Sequence, residues 1–351
     1  MAGRGSNHNI DHRFSGPRIE TVDDGWHSSD WDAAFTASAP GTEVHEIEAR
    51  SIISYNSSPD VPFGRSINPY QGCEHGCIYC YARPSHAYLE LSPGLDFETK
   101  LFAKLNAAEL LRREFAKPAY QPQSIVIGAN TDPYQPVEQR YRLTRQLLEV
   151  MLAHRHPVGL ITKSAMILRD LDLLSTLARE GLCQVMVSVT TLNETLRRQL
   201  EPRASTGSGR LKVIEKLANA GVQVGVLAAP MIPRLNEPEL EQIIKSAAEA
   251  GASCADYILL RLPHELAPLF GDWLDTHYPG QKEAILNQLR ASRGGGLNST
   301  AFGTRMRGEG LFADLLAQRF RLISKRLDLG KRHIQLRLDG FIRPGEQLSL
   351  F

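Results

Sequence analysis

Residues 72–81 read Gly72-Cys73-Glu74-His75-Gly76-Cys77-Ile78-Tyr79-Cys80-Tyr81. Three thiols packed this closely put the donor atoms of one metal centre on a single loop. The loop offers only three thiolates, whereas a closed structural zinc site takes four ligands. An iron–sulfur cubane held by three cysteines keeps one iron open to a substrate or cofactor. Gly72 and Gly76 let such a loop turn tightly and bring its amides toward the sulfur atoms. Zinc is the competing reading, with His75 or His86 as fourth ligand. A disulfide fits less well, because nothing in the chain signals secretion and intracellular thiols stay reduced. Cys183 and Cys254 lie in or beside the apolar runs Gln184-Val185-Met186-Val187 and Asp256-Tyr257-Ile258-Leu259-Leu260 and read as small buried hydrophobes.

Downstream of the loop, short apolar runs alternate with helical patterns. The runs are Ser124-Ile125-Val126-Ile127, Val158-Gly159-Leu160-Ile161, Val185-Met186-Val187-Ser188-Val189, Val222-Gln223-Val224-Gly225-Val226-Leu227 and Tyr257-Ile258-Leu259-Leu260. Their β-branched content and short length predict buried strands. Helices are predicted over residues 142–154, 165–180, 210–220 and 238–250. Gly181, Gly221 and Gly251 follow three of them, where a C′ glycine belongs, and Pro238 suits a first helical turn. A further strand is predicted before the cysteines, near residues 66–70. Alternating strands and helices imply parallel strands with crossover helices. Six such units predict an α/β fold, a partial (β/α)6 TIM-type barrel. Parallel α/β folds place their chemistry on the loops that follow the strands, and the cysteine loop follows the first strand.

The chain has 351 residues, 42% of them hydrophobic and 23% charged, with a net charge of +1. This composition fits a globular protein, and bulk charge argues neither for nor against nucleic acid. No apolar run reaches the ~18 residues of a membrane span, and the N-terminus lacks the apolar core of a signal peptide. We therefore expect no membrane partner and a cytoplasmic location. Residues 1–45 read as a flexible polar segment, 46–263 as the barrel, 264–343 as a basic helical extension and 344–351 as a tail peptide. In the extension, helices are predicted over 265–278, 281–293 and 309–327. Arg305, Arg307, Arg319, Arg321, Lys325, Arg326, Lys331, Arg332, Arg337 and Arg343 make it basic. Such a face can bind phosphates or simply be solvated.

Each predicted barrel strand ends in small or polar residues. After the second come Gly128-Ala129-Asn130-Thr131-Asp132-Pro133-Tyr134, with Glu138 just beyond; after the third, Thr162-Lys163-Ser164; then Ser188, Thr190 and Thr191; Ala228-Ala229-Pro230; and Arg261. Lys163 and Ser188 can hold a carboxylate. Thr131, Asp132 or Glu138 can take an ammonium group or hydroxyls, and Asn130 adds a polar donor to the same pocket.

The spacing of Cys73, Cys77 and Cys80, with Tyr79 before the last, resembles the signature of the radical S-adenosylmethionine (radical SAM) enzymes. With Thr162-Lys163, Val187-Ser188, Glu201-Pro202, Gly209-Arg210-Leu211 and Ala228-Ala229-Pro230, the stretch from Asn68 to about Leu262 resembles their spore photoproduct lyase and DNA-repair-photolyase-like branch. That resemblance implies a [4Fe-4S] cluster on Cys73, Cys77 and Cys80, with S-adenosylmethionine (S-adenosyl-L-methionine) on the fourth iron. It implies that Lys163 and Ser188 hold the methionine carboxylate, that Ala229 lies by the adenine and that the Tyr79 backbone meets the adenine edge. It further implies one-electron cleavage of the cofactor to a 5′-deoxyadenosyl radical, an electron donor such as flavodoxin or ferredoxin, and DNA as substrate. A protein, tRNA or small-molecule substrate is the alternative.

One departure stands out. Spore photoproduct lyases carry a hydrogen-donating cysteine after the second strand, where this chain reads Ala129-Asn130-Thr131-Asp132. A straightforward spore photoproduct lyase is therefore not expected. Tyr81, Tyr88 and Tyr134 are the candidate hydrogen donors, Tyr81 and Tyr134 foremost. Finally, Gln347-Leu348-Ser349-Leu350-Phe351 resembles the peptide by which bacterial repair proteins dock on the sliding clamp.

Overall fold

A computed structural model describes residues 3–15, 41–330 and 336–345. Its strands are β1 (Glu43–Ile47), β2 (Ile53–Tyr55), β3 (Arg65–Ile67), β4 (Tyr70–Gln71), β5 (Lys100–Lys104), β6 (Ile125–Ile127), β7 (Val158–Thr162), β8 (Cys183–Ser188), β9 (Gln223–Met231) and β10 (Cys254–Leu259). The order β10-β9-β8-β7-β6-β3-β2 makes one sheet. From β3 to β10 every neighbour is parallel; β2 pairs antiparallel with β3. The six parallel strands run in chain order, giving the α/β partial barrel expected above. Ile125, Ile127, Val158, Leu160, Val185, Val187, Val224 and Val226 are almost wholly buried. A parallel sheet covered on both faces requires such continuous apolar runs.

The helices Leu143–Ala153, Leu171–Arg179, Gly207–Asn219 and Leu240–Glu249 cover the sheet. Gly181, Gly221 and Gly251 have the positive φ of C′ residues. The helix expected over 165–180 is instead a 3-10 segment, Ala165–Asp170, followed by the α-helix. The Asp170 carboxylate at the junction is fully buried and paired with Arg145 and Arg169. A second sheet, β1-β5-β4, was not legible in the sequence. It seats the segment between the cysteine loop and β6: Lys104 Nζ donates to Asn68 O at 3.0 Å.

The extension forms the helices Leu266–His277, Lys282–Ala291 and Gly310–Arg326. Trp273, Leu274, Ile285, Leu289 and Leu316 belong to the same buried cluster as the barrel strands. Arg319 ties the last helix to Glu237 and Glu241. Residues 3–15, read above within a flexible segment, are held. The Gly5 and Ser6 amides donate to Glu98 at 3.0 and 2.9 Å, and Arg13 pairs with Glu265 at 2.9 Å. Among the described residues no helix is long and apolar enough to cross a membrane. The tail peptide Gln347–Phe351, together with Lys331 and Arg332, lies outside the described residues.

Candidate active site

The cysteine loop leaves β4 through Gly72. Gly72 (φ 77°) and Gly76 (φ 67°) are both left-handed, and a Cβ on Gly76 would lie 2.7 Å from Glu98 Oε2. The loop is pinned by its backbone: Cys73 N–H donates to Phe97 O at 2.9 Å, Ile78 N–H to Leu200 O at 3.0 Å and Cys80 N–H to Cys77 O at 3.2 Å. Behind it lies a buried ion pair. Arg83 and Glu98 are both fully buried and paired. Arg83 also donates to the carbonyls of Cys77, Pro93 and Gly94 at 2.9, 3.0 and 2.9 Å.

Cys73, Cys77 and Cys80 all line one cavity of about 440 Å3, within the range of small-molecule sites. Burial pushes the Cys77 thiol up to about 12 and the Cys73 thiol well above the ordinary thiol range. A metal centre supplies the positive charge that would make these thiols thiolates. Among the described residues no group of three or more His, Cys, Asp or Glu is arranged to hold a metal ion by itself, and the two histidines named for zinc differ in placement. His86 Nε2 is engaged with Lys100 O at 3.0 Å against Phe97, and His75 Nδ1 lies 3.5 Å from Asp132. Burial pulls His75 down to about 4, so its ring is neutral.

Lys163, at the end of β7, reaches the loop. Its Nζ lies 3.5 Å from Cys77 Sγ and donates to Tyr79 OH at 2.9 Å and to Glu201 Oε1 at 3.2 Å. Glu201 is fully buried. It also accepts from Arg210 and Tyr79 OH, while Thr190 Oγ1 lies 2.6 Å away. Burial raises the Glu201 carboxyl and Arg210 opposes the shift. Two cations thus face one carboxylate, leaving surplus positive charge on the Lys163 side. Ser188 lines the same cavity, and its hydroxyl makes no hydrogen bond among the described residues. Lys163 and Ser188 together offer what a carboxylate needs.

Asn130, Asp132, Ala229, Tyr79 and Tyr81 also line the cavity. Asp132 is already engaged by the protein's own donors. It accepts from Thr162 Oγ1 at 2.7 Å, Lys163 N–H at 2.8 Å and Tyr134 N–H at 2.9 Å, so it braces two strand ends. Thr131 is turned away and donates to Tyr70 O at 2.8 Å. Glu138 is buried on Arg169 and Tyr70. Tyr134 does not line the cavity; its ring is buried, with the Arg169 guanidinium 6.0 Å from its centroid. Tyr88 is exposed and packs on Phe14. Tyr81 alone of the three candidate tyrosines faces the cavity, its hydroxyl donating to Ala129 O. Arg261, Arg305 and Arg307 also line it, the last two beside their partners Asp60 and Asp256. Sequence reading missed the roles of Glu201 and Arg210, which meet only through the fold.

The Radical SAM superfamily model matches residues 67–247, more than half of the chain. The chain belongs to the radical SAM superfamily. An uncharacterized protein of Mycobacterium tuberculosis is 34% identical over 244 residues, covering 68% of this chain and 71% of that one. A radical SAM Nalpha-GlyT isomerase of Pseudomonas phage M6 is 22% identical over 240 residues, covering 63% of this chain and 48% of its own. Among solved structures, spore photoproduct lyase complexed with dinucleoside spore photoproduct superposes with a TM-score of 0.60 at 17% identity, covering 84% of this chain and 86% of that chain. At that identity the likeness is one of fold.

Radical SAM enzymes use a [4Fe-4S] cluster and S-adenosylmethionine, and this chain is such an enzyme. The residues present fit the pair. Three thiols, two of them buried, line the cavity from one loop, and a lysine with surplus charge and an open serine hydroxyl line it with them. When bound, the two groups together supply a carbon-centred radical that takes a hydrogen atom from the substrate. The protein's part is to position the reactants and exclude water.

Proposed function

We propose that this radical SAM enzyme acts on DNA, repairing or modifying a base, and works in the cytoplasm with a flavodoxin- or ferredoxin-like electron donor. The observation that carries this reading is the cavity itself: the three loop cysteines line it together with Arg261, which has no acidic partner among the described residues and lies 5.1 Å from the Tyr81 ring centroid, while Arg305 and Arg307 in the same wall are paired with Asp60 and Asp256. Radical chemistry and groups that suit a phosphodiester therefore share one space. The fold likeness to an enzyme complexed with a dinucleoside photoproduct supports it.

In this reading Cys73, Cys77 and Cys80 hold the cluster, Lys163 and Ser188 bind the methionine carboxylate, and Ala229 and the Tyr79 backbone flank the adenine. Among the described residues no cysteine beyond the loop lines the cavity; Cys183 and Cys254 are buried in the sheet. The hydrogen atom returned to the product therefore comes from another group, and Tyr81 is the one in place. The tail peptide would dock the enzyme on the sliding clamp. Truncation before Leu348 should then abolish clamp binding and leave cofactor cleavage intact.

The test is anaerobic incubation with S-adenosylmethionine, a reductant and either intact or UV-irradiated DNA, followed by nucleoside mass spectrometry. A DNA-dependent new or restored nucleoside is expected, and Cys77→Ala should abolish it. Cofactor cleavage with no change in either DNA would refute DNA as the substrate and return the protein, tRNA and small-molecule readings.

A further inference from the structure

A second cavity adjoins the first. It has about 670 Å3 and lies between β10 and the helix Gly310–Arg326. Asp60, Asp256, Tyr257 and Arg307 line both cavities, so the two share a wall. The groove is backed by aromatic rings: Tyr257 and Phe320 have centroids 4.9 Å apart. The Arg307 guanidinium lies over them, 4.0 Å from the Tyr257 centroid and 5.7 Å from that of Phe320.

Its charge is not balanced internally. The two acids of the shared wall are already paired, Asp60 with Arg305 and Asp256 with Arg307. Arg321 and Lys325 also line the groove. They stand four residues apart on one helix face, are exposed, and have no acidic partner among the described residues. Ser324 Oγ lies in the groove with no hydrogen-bond partner among the described residues. Other arginines of the extension are committed elsewhere: Arg319 to Glu237 and Glu241, and Arg337 to Asp339. Arg321 and Lys325 therefore bring uncommitted charge to a groove that shares a wall with the first cavity, whereas Arg326 of the same helix lies outside it.

We propose that this groove binds the phosphodiester backbone of a single nucleic-acid strand flanking the nucleotide held in the first cavity. Arg321 and Lys325 take successive phosphates, and the Tyr257–Phe320 pair backs the adjoining sugar or base. Positive side chains beside aromatic rings are what single-strand binding needs. The inference rests on the DNA reading above.

The experiment is fluorescence anisotropy with a fluorescein-labelled single-stranded deoxyoligonucleotide across about 0.05–0.3 M salt. The variant is Arg321→Gln/Lys325→Gln. A charge-matched control, Arg112→Gln/Arg113→Gln, lies on the helix Ala107–Phe115, where both arginines are exposed and lack acidic partners among the described residues. Losing two phosphate contacts should lower the salt slope by about 1.4 and weaken binding about 25-fold near 0.1 M salt. The control should stay near wild type. If both variants weaken equally, net charge explains the binding and the groove is refuted. If wild type binds and the groove variant matches it, the groove fails while the DNA reading stands. If wild type binds no oligonucleotide at all, the DNA reading falls and takes the groove with it.

Discussion

Replacing Arg83 with methionine removes the cation behind the cysteine loop and should be the most costly single change near the site. Arg83 and Glu98 are both fully buried, and among the described residues Arg83 is the cation ion-paired with the Glu98 carboxylate. Without it, Glu98 keeps the Gly5 and Ser6 amides, while Arg4 reaches only the Glu98 backbone carbonyl, at 2.8 Å. Removing one partner of a buried ion pair costs about 3–5 kcal/mol. The Cys77, Pro93 and Gly94 carbonyls also lose their donor, and each orphaned group adds up to about 1–3 kcal/mol where water cannot replace it. The assay is urea unfolding of the reduced, metal-free protein, with iron content measured after anaerobic reconstitution. We expect a loss of at least about 3 kcal/mol and poor iron retention, although all three cysteines are intact. The double variant Arg83→Met/Glu98→Gln should recover part of the stability, because it removes the stranded charge. A single variant within about 1 kcal/mol of wild type, or a double variant no better than the single, would refute this account of the pair.

Three further outcomes are expected. Lys163→Ala should weaken S-adenosylmethionine binding by about 1.5–3 kcal/mol, and Ser188→Ala by less, with iron content unchanged; calorimetric titration with unaltered affinity in both would remove their assigned role. Tyr81→Phe should suppress product formation while cofactor cleavage persists, whereas Tyr134→Phe, outside the cavity, should change neither; equal effects of the two would count against Tyr81 as hydrogen donor. His156 is buried between Tyr120 OH and Pro157 O, stacked on Phe115, and burial pulls it from 6.5 down to about 3. Its folded-state value lies below its unfolded one, so the unfolded chain binds the extra proton. Stability is present in full above about pH 6.5 and lost progressively below it, about 2 kcal/mol by pH 5. Urea midpoints of His156→Phe should fall less than those of wild type on acidification; parallel curves would show that His156 does not titrate on unfolding.

The parallel strands were legible because each is a short β-branched run buried on both faces, and the C′ glycines marked where three helices stop. The sheet β1-β5-β4 was not. β5 reads Lys-Leu-Phe-Ala-Lys, and β4 spans only two residues. Such segments become strands through pairing with distant partners, not through local pattern. The same limit applies to the site. The cysteines share one loop, so their spacing alone exposed them. Glu201 and Arg210 stand nine residues apart, on either side of a turn, and nothing local says that they pair or that Glu201 also meets Lys163. Tyr134 illustrates the opposite error: it is two residues from Asp132, yet the turn after β6 sends its ring into the core.

That buried carboxylate changes how the lysine is understood. With Glu201 alone, Lys163 would be neutralised and have little to offer a ligand. Arg210, itself almost fully buried, already pairs with Glu201 and also donates to Ser188 O at 3.1 Å. One bonded chain therefore runs from Arg210 through Glu201 to Lys163 and the Tyr79 hydroxyl, and from Arg210 to the backbone of Ser188. It aims a net positive charge at the cavity while holding both proposed carboxylate contacts in place. Binding a carboxylate there brings the cluster of buried charges closer to balance, which is the condition under which buried ions are least costly. A cation in the same position would meet Lys163, while the nearby Asp132 already accepts from Thr162 Oγ1, Lys163 N–H and Tyr134 N–H. The electrostatics of the wall thus favour an anionic group over a cationic one in the space next to Cys77, which is what the carboxylate role proposed for Lys163 and Ser188 requires.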